Sequence, residues 1–290
     1  MAIKLAFSTV ACPEWTIEQA CEQARQMGYD GIDLRTLDQG GVSLACDPAL
    51  SEPAKINGIF RAHGIEPICL STSASLHYKD ASAAHQSVWT VQRYIEQAAE
   101  IGCKYVRVFG SQIEPGQNTN STLQRIAQRA VTLADRAGEL GVTLLFENAA
   151  SFSIAKHWWW MFNLIEHPMV AMCWNVANAA AAGEGPAVSV PMLNSRIAMA
   201  KVKDLIVGEG SGFVPLGEGT VQVEHFIKRL MGIGFDGYLT VEWDRAWLPT
   251  LTPAEQYLPD AHARLKGWLD AIAQQTAAAQ GKGAKAAAKK

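Results

Sequence analysis

Residues 140–148 read LGVTLLFEN: a helix-like end, a glycine, five residues apolar but for one threonine, and then a carboxylate. Glycine just past a helix readily takes the left-handed conformation that turns the chain back. The run 142–146 has the length and near-continuous apolarity of a strand covered on both faces, as in parallel sheets packed under helices. Glu147 stands where that strand stops.

The same cassette recurs outward in both directions: MGYDGIDL at 27–34, HGIEPICL at 63–70, IGCKYVRV at 101–108 and IGFDGYLT at 233–240. Eight strand candidates emerge, at 4–9, 31–35, 66–72, 105–109, 143–147, 171–175, 197–201 and 238–242. Helix-length segments such as 16–27, 86–101, 122–140 and 223–233 separate them. Strand and helix alternating about eight times in one domain of this size predict an α/β fold of a single closed (β/α)8 TIM barrel. No Gly-x-Gly-x-x-Gly follows the first strand, which argues against a dinucleotide-binding sheet. The barrel is expected over 1–276 and a disordered, Ala/Lys-rich tail over 277–290, where little remains to bury. Long connections at 36–56 and 110–120 are expected over the mouth.

The chain has 290 residues, 49% of them hydrophobic, and a formal net charge of −3 with the signs interspersed. No basic face argues for nucleic acid or an anionic membrane, so a small-molecule partner is expected. No leader pattern opens the chain and no run spans a bilayer, giving a cytoplasmic expectation. The six cysteines, at 12, 21, 46, 69, 103 and 173, are scattered singly and read as buried reduced thiols.

In such a barrel the carboxyl ends of the strands converge on one mouth. The residues closing the later strands are Glu147, Asn175, Lys201 and Glu242, two carboxylates facing an ammonium. Glu147 and Glu242 each follow a run that must be buried, so each needs a partner charge, a metal or a shared proton. They are candidate catalytic groups, with an ion-paired anchor of the rim as the structural alternative. Alternation points Lys201 and Lys203 the same way, Lys201 deeper and more desolvated. Arg35 and Arg107 at strand ends, and His77 in the following loop, are candidate substrate contacts. Trp243 and its neighbouring tryptophans offer walls for sugar C–H faces, or core packing.

LLFEN, CWNVANAAAAGE, KVKD, VPLGEGTV and GYLTVEW, in this order and spacing, resemble the sugar phosphate isomerase/epimerase family of xylose isomerase-like barrels, and GYDGIDLR and YVRVFG extend the resemblance into the first half. The resemblance implies a divalent ion held by a Glu, an Asp, a His and a second Glu, with the two glutamates also moving protons. Glu147 and Glu242 match those glutamates. Asn175 stands for the Asp, Lys201 for the His, and Asn178 for a further His of the epimerase branch. Two of four ligands are therefore changed. The sum of charges is kept if the Lys201 ammonium takes the ion's place, so no cofactor is expected. The alternative is a divalent metal (Mn, Mg, Co or Zn) held by Glu147, Asn175 and Glu242.

Three functions follow. One is a carbohydrate isomerase or epimerase in which Glu147 and Glu242 exchange a proton and Lys201 polarises the carbonyl of a sugar, polyol or hydroxy-ketone. Another is a Schiff-base lyase built on Lys201. The third is a non-catalytic sugar-binding barrel or subunit. A homo-oligomer is compatible with each.

Overall fold

A computed structural model describes residues 3–36, 52–208 and 212–287. Eight parallel strands close into a barrel: β1 (Lys4–Ser8), β2 (Gly31–Arg35), β3 (Glu66–Ser75), β4 (Tyr105–Phe109), β5 (Thr143–Glu147), β6 (Val170–Asn175), β7 (Ile197–Val202) and β10 (Tyr238–Val241). β10 pairs with β7 and with β1, which completes the ring. The glycine cassettes end helices as expected: Gly28, Gly64, Gly102, Gly141 and Gly234 all have φ between 68° and 93°.

Helices α1 (Ile17–Met27), α2 (Pro53–His63), α3 (Ala81–Ile101), α4 (Thr119–Glu139), α5 (Ala155–Phe162), α6 (Val176–Ala181), α7 (Pro186–Leu193), α8 (Val223–Gly232) and α9 (Ala254–Ala287) accompany the strands. Caps set two starts earlier than apolar periodicity alone suggests. Asp80 accepts from the backbone of Ala83, and Asn118 from that of Ser121, so α3 and α4 begin at 81 and 119. The connection expected over 36–56 is shorter, because Pro53 at the first turn starts α2. Residues 37–51 of that connection, and Cys46 with them, lie outside the described residues. A small antiparallel hairpin, β8 (Asp204–Ile206) with β9 (Gly212–Val214), follows β7. Among the described side chains of α9 the last buried one is Ile272. The expected boundary near 277 falls within helical backbone, five residues past that side chain.

Period-two alternation divides each strand between two environments. Phe7, Ile32, Leu34, Val106, Phe146 and Val241 join the large core beneath the helices. Ala6, Cys69, Leu145, Cys173, Met199 and Tyr238 form a separate cluster that fills the barrel interior. Two residues further along the same six strands stand Ser8, Ser71, Glu147, Asn175, Lys201 and Thr240, all polar and all buried. The interior changes from apolar to polar in a single layer, and the functional residues begin there. Cys12, Cys21, Cys69, Cys103 and Cys173 are buried, and the last four are free thiols.

Candidate functional site

Lys201, fully buried on β7, is the centre of the polar layer. Its Nζ lies 3.2 Å from Asp33 Oδ2, 3.2 Å from Glu147 Oε2 and 2.9 Å from Glu242 Oε2. Burial disfavours the ammonium, but the attraction of Asp33, Glu147 and Glu242 outweighs it and holds the Lys201 pKa well above its ordinary value. Lys203, two residues on and nearer the mouth, places Nζ 2.7 Å from Glu242 Oε1 and 2.8 Å from Asp244 Oδ2. Burial opposes its charge too, and Glu242 and Asp244 more than compensate.

Glu242 would be raised by burial, yet Lys201 and Lys203 drive it well below the usual carboxylate range. Asp244 moves the other way, raised by burial and by the neighbouring Glu242 charge, with Lys203 offsetting part of the rise. Arg107, fully buried, sets Nε 2.8 Å from Glu147 Oε2 and also donates to the Thr72 carbonyl. Asn175 Nδ2 donates to Glu147 Oε1 at 3.0 Å and to Glu242 Oε1 at 3.2 Å, so one amide bridges the two glutamates. Its Oδ1 accepts from the backbone of Ala177 and Asn178, capping α6. Asn148 fixes the Asn175 backbone, accepting from its N–H at 2.7 Å and donating to its carbonyl at 3.0 Å.

Arg35 occupies the rim above Asp33. It donates to the carbonyls of Thr36 and Ser71 and to Ser73 Oγ, and its guanidinium lies 5.8 Å from the Trp247 ring centre. Burial and the neighbouring Arg107 lower its pKa to about 10, against the pull of Glu147, Glu242 and Asp33. Asp33, Glu147, Glu242 and Asp244 therefore face Arg35, Arg107, Lys201 and Lys203: four charges of each sign in one buried cluster. Such near-neutrality is what makes so much buried charge tolerable.

The sequence-derived residues divide accordingly. Glu147, Asn175, Lys201, Lys203, Glu242 and Arg107 meet in one network, with Arg35 at its edge. Lys201 is the more deeply buried of the two lysines, as alternation requires. Trp243 does not line the mouth: with Glu242 inward it points outward, stacks on Tyr257 at 3.9 Å between ring centres and donates to the Thr252 carbonyl. Asn178 donates to the Asn148 carbonyl at 2.8 Å and supports the network from behind. His77 is held by Ser75 Oγ at 3.0 Å, apart from the Lys201 cluster.

Three contributors escaped sequence reasoning. Asp33 is the middle residue of GIDLR, a carboxylate flanked by apolar residues in a strand and two positions from Arg35; that alternation was its signal. Asp244 is linked to Glu242 by the same spacing. Buried Asp204 accepts from the backbone N–H of Leu205, Gly217, Gly219 and Val221, fastening the PLGEG loop beside β7. A Cβ on Gly219 would collide with the Asp204 carboxylate and come within 2.7 Å of the Leu205 carbonyl oxygen, so glycine there is a requirement of packing.

A family profile described as xylose isomerase-like TIM barrel matches residues 21–268. The chain belongs to that family. Among solved structures, an L-ribulose 3-epimerase superposes with TM-score 0.80 at 15% identity, covering 96% of this chain and 98% of that one. An IOLI protein with a bound zinc atom gives 0.79 at 19% identity, covering 93% and 99%. A D-allulose 3-epimerase from Methylomonas sp. in complex with D-allulose gives 0.73 at 16% identity, covering 92% and 97%. At these identities the likeness is one of fold. No curated protein matches the sequence.

The donor set of this xylose isomerase-like barrel does not fit the family's divalent ion. The carboxylate oxygens stand 2.9–3.2 Å from a common centre, and that centre is an ammonium nitrogen. Divalent ions of the expected kind draw oxygen ligands to about 2.0–2.2 Å. No histidine joins the cluster, and among the described residues no group of three or more His, Cys, Asp and Glu side chains is arranged to hold a metal.

Proposed function

We propose that this barrel acts on a small carbohydrate or hydroxy-ketone as a metal-independent isomerase or epimerase, with the Lys201 ammonium standing where a divalent ion would hold the two glutamates. The observation that carries this reading is the approach of Asp33, Glu147 and Glu242 to one nitrogen within 3.2 Å. Glu147 and Glu242, fixed by Lys201 and bridged by Asn175, form the pair that removes and returns a proton at a carbon next to a carbonyl. A role for Lys201 in polarising that carbonyl is not supported. An ammonium has three N–H bonds, and three carboxylates already surround it. Lys203 meets two carboxylates and keeps one N–H for a developing oxyanion, which makes it the better electrophile. Schiff-base chemistry at Lys201 is disfavoured by its raised pKa, since the nucleophile is the neutral amine.

The depressed pKa of Glu242, and the engagement of both its oxygens, favour a second reading in which the cluster is structural and the barrel binds sugars without turnover. One experiment separates the two. Ketoses and their epimers are incubated with protein in D2O with chelator, and deuterium incorporation next to the carbonyl is followed by NMR. Exchange that E147Q and E242Q each abolish supports proton transfer. No exchange, together with sugar-dependent thermal stabilisation, supports binding alone.

A further inference from the structure

A second charged cluster lies where the loops after β3 and β4 meet α4. Arg125 and Arg129 stand one helical turn apart on α4. Arg129 Nη1 donates to the Leu76 carbonyl at 2.5 Å. Arg125 donates to Gln117 Oε1 at 3.0 Å and Thr122 Oγ1 at 3.3 Å, and its Nε is buried without a hydrogen-bond partner. His77 follows Leu76, is 4% exposed, and is fixed at Nδ1 by Ser75 Oγ. The acid nearby is Glu114, whose Oε2 accepts from the Lys79 backbone at 2.6 Å.

Other arginines of this barrel find carboxylates: Arg93 meets Glu96 at 3.3 Å, Arg136 meets Glu139 at 2.9 Å and Arg245 meets Glu14 at 2.8 Å. Among the described residues, Arg125 and Arg129 have none within 4.0 Å. The excess of positive charge is felt locally. Burial lowers the His77 pKa, and the pull of Glu114 is countered by Arg129 and Arg125. Arg129 is lowered by burial and then by Arg125. Two guanidiniums held at carbonyl and amide oxygens, with no carboxylate among the described residues to neutralise them, present what a tetrahedral or planar oxyanion requires.

We propose that His77, Arg125 and Arg129 form an oxyanion-binding site at the rim, taking the phosphate or carboxylate group of a small ligand. Among the described residues the site shares no hydrogen bond or ion pair with the Lys201 cluster, so it stands independently of the proton-transfer reading. It redirects His77 from the carbohydrate mouth to an anionic group. It also identifies ligands with a phosphoryl or carboxylate group, such as sugar phosphates or sugar acids, as the class to test first.

Isothermal titration with inorganic phosphate, and separately with gluconate, at constant ionic strength tests it on the full chain. Wild type, R125M, R129M and R93M are compared after circular dichroism confirms that each is folded. Saturable 1:1 binding of either anion, weakened about ten-fold or more in R125M and R129M and unchanged in R93M, is the expected result. The anion that saturates identifies the group. Binding of neither anion, or equal weakening in R93M, overturns the proposal. Because the titration reads no turnover, a silent isomerase assay leaves its outcome unaffected.

Discussion

Replacing Lys201 by methionine removes the ammonium that ion-pairs with Asp33, Glu147 and Glu242 while keeping a side chain of similar length. Glu147 retains Arg107 and Asn175, and Glu242 retains Lys203 and Asn175. Asp33 retains no ion pair among the described residues and is wholly buried. Breaking a buried pair by deleting one partner costs about 3–5 kcal/mol, because the other charge stays desolvated. In a domain of this size that is a fall in Tm of roughly 6–20 °C. Urea unfolding of K201M, read by tryptophan fluorescence and circular dichroism, gives the loss directly. The reasoning also fixes the sign of a double-mutant cycle. D33N destabilises the wild type, where it breaks a contact, but recovers about 1–3 kcal/mol in K201M, where it removes an orphaned charge. A K201M protein within about 1 kcal/mol of wild type, or a D33N cost that is undiminished in K201M, would refute the ion-pair account.

The pH dependence follows from the same groups. Glu242, depressed in the folded state, contributes stability above its unfolded pKa of about 4.3 that is lost as pH falls through the folded value; Lys201 and Lys203, both raised, contribute below about 10.4 and lose it as pH rises. Asp244, raised, works in the opposite sense and blunts the acid limb. Urea midpoints from pH 2 to 11 should therefore plateau between about 5 and 10, and E242Q should flatten the acid limb; an unchanged slope in E242Q would count against it. The double variant N175D/K201H should bind a divalent ion stoichiometrically, shown by elemental analysis and a chelator-sensitive rise in Tm, whereas wild type with manganese or zinc should show no such rise. G219A should destabilise by about 1–3 kcal/mol through the clash with Asp204 and the Leu205 carbonyl, and D204N should lose much of the same loop anchoring; a neutral G219A in thermal melts would mean that the loop can move aside.

The barrel was legible because its signal is repeated. Each glycine cassette states a helix end, a parallel strand and a polar strand terminus, and consistent local choices reinforce one another. Glu147, Asn175, Lys201 and Glu242 were legible for the same reason: each ends an apolar run. Asp33 was harder, because one acid among Ile32 and Leu34 is visible only once the inward face of β2 is known. Trp243 shows the converse. Its neighbour Glu242 faces inward, so alternation alone sends the indole outward, and the general suitability of tryptophan for sugars misleads. The β8–β9 hairpin and the Asp204 knot left no periodic trace. Three-residue strands are too short to show alternation, and Asp204 acts through backbone N–H groups 13 to 17 residues away.

On the reading proposed above, the two changes from the ligand pattern that the resemblance implies make physical sense together. An ammonium carries one charge where a divalent ion carries two, so placing Lys201 among the family's three acids would leave a surplus buried carboxylate. Asn at 175 removes that surplus, and its amide then supplies donors to the Oε1 atoms of Glu147 and Glu242 that Lys201 does not reach. Asp33 takes the remaining N–H of Lys201, and Arg107 completes Glu147. On that reading either change alone carries a cost: Asn175 beside a histidine holds a dication less well, and Lys201 beside an aspartate leaves more buried negative charge to offset. A cluster in which Lys201, Asn175 and Arg107 each face carboxylate oxygens is a built arrangement. Decay of a metal site would instead leave buried carboxylates to be repaired one at a time, each at a cost of several kcal/mol.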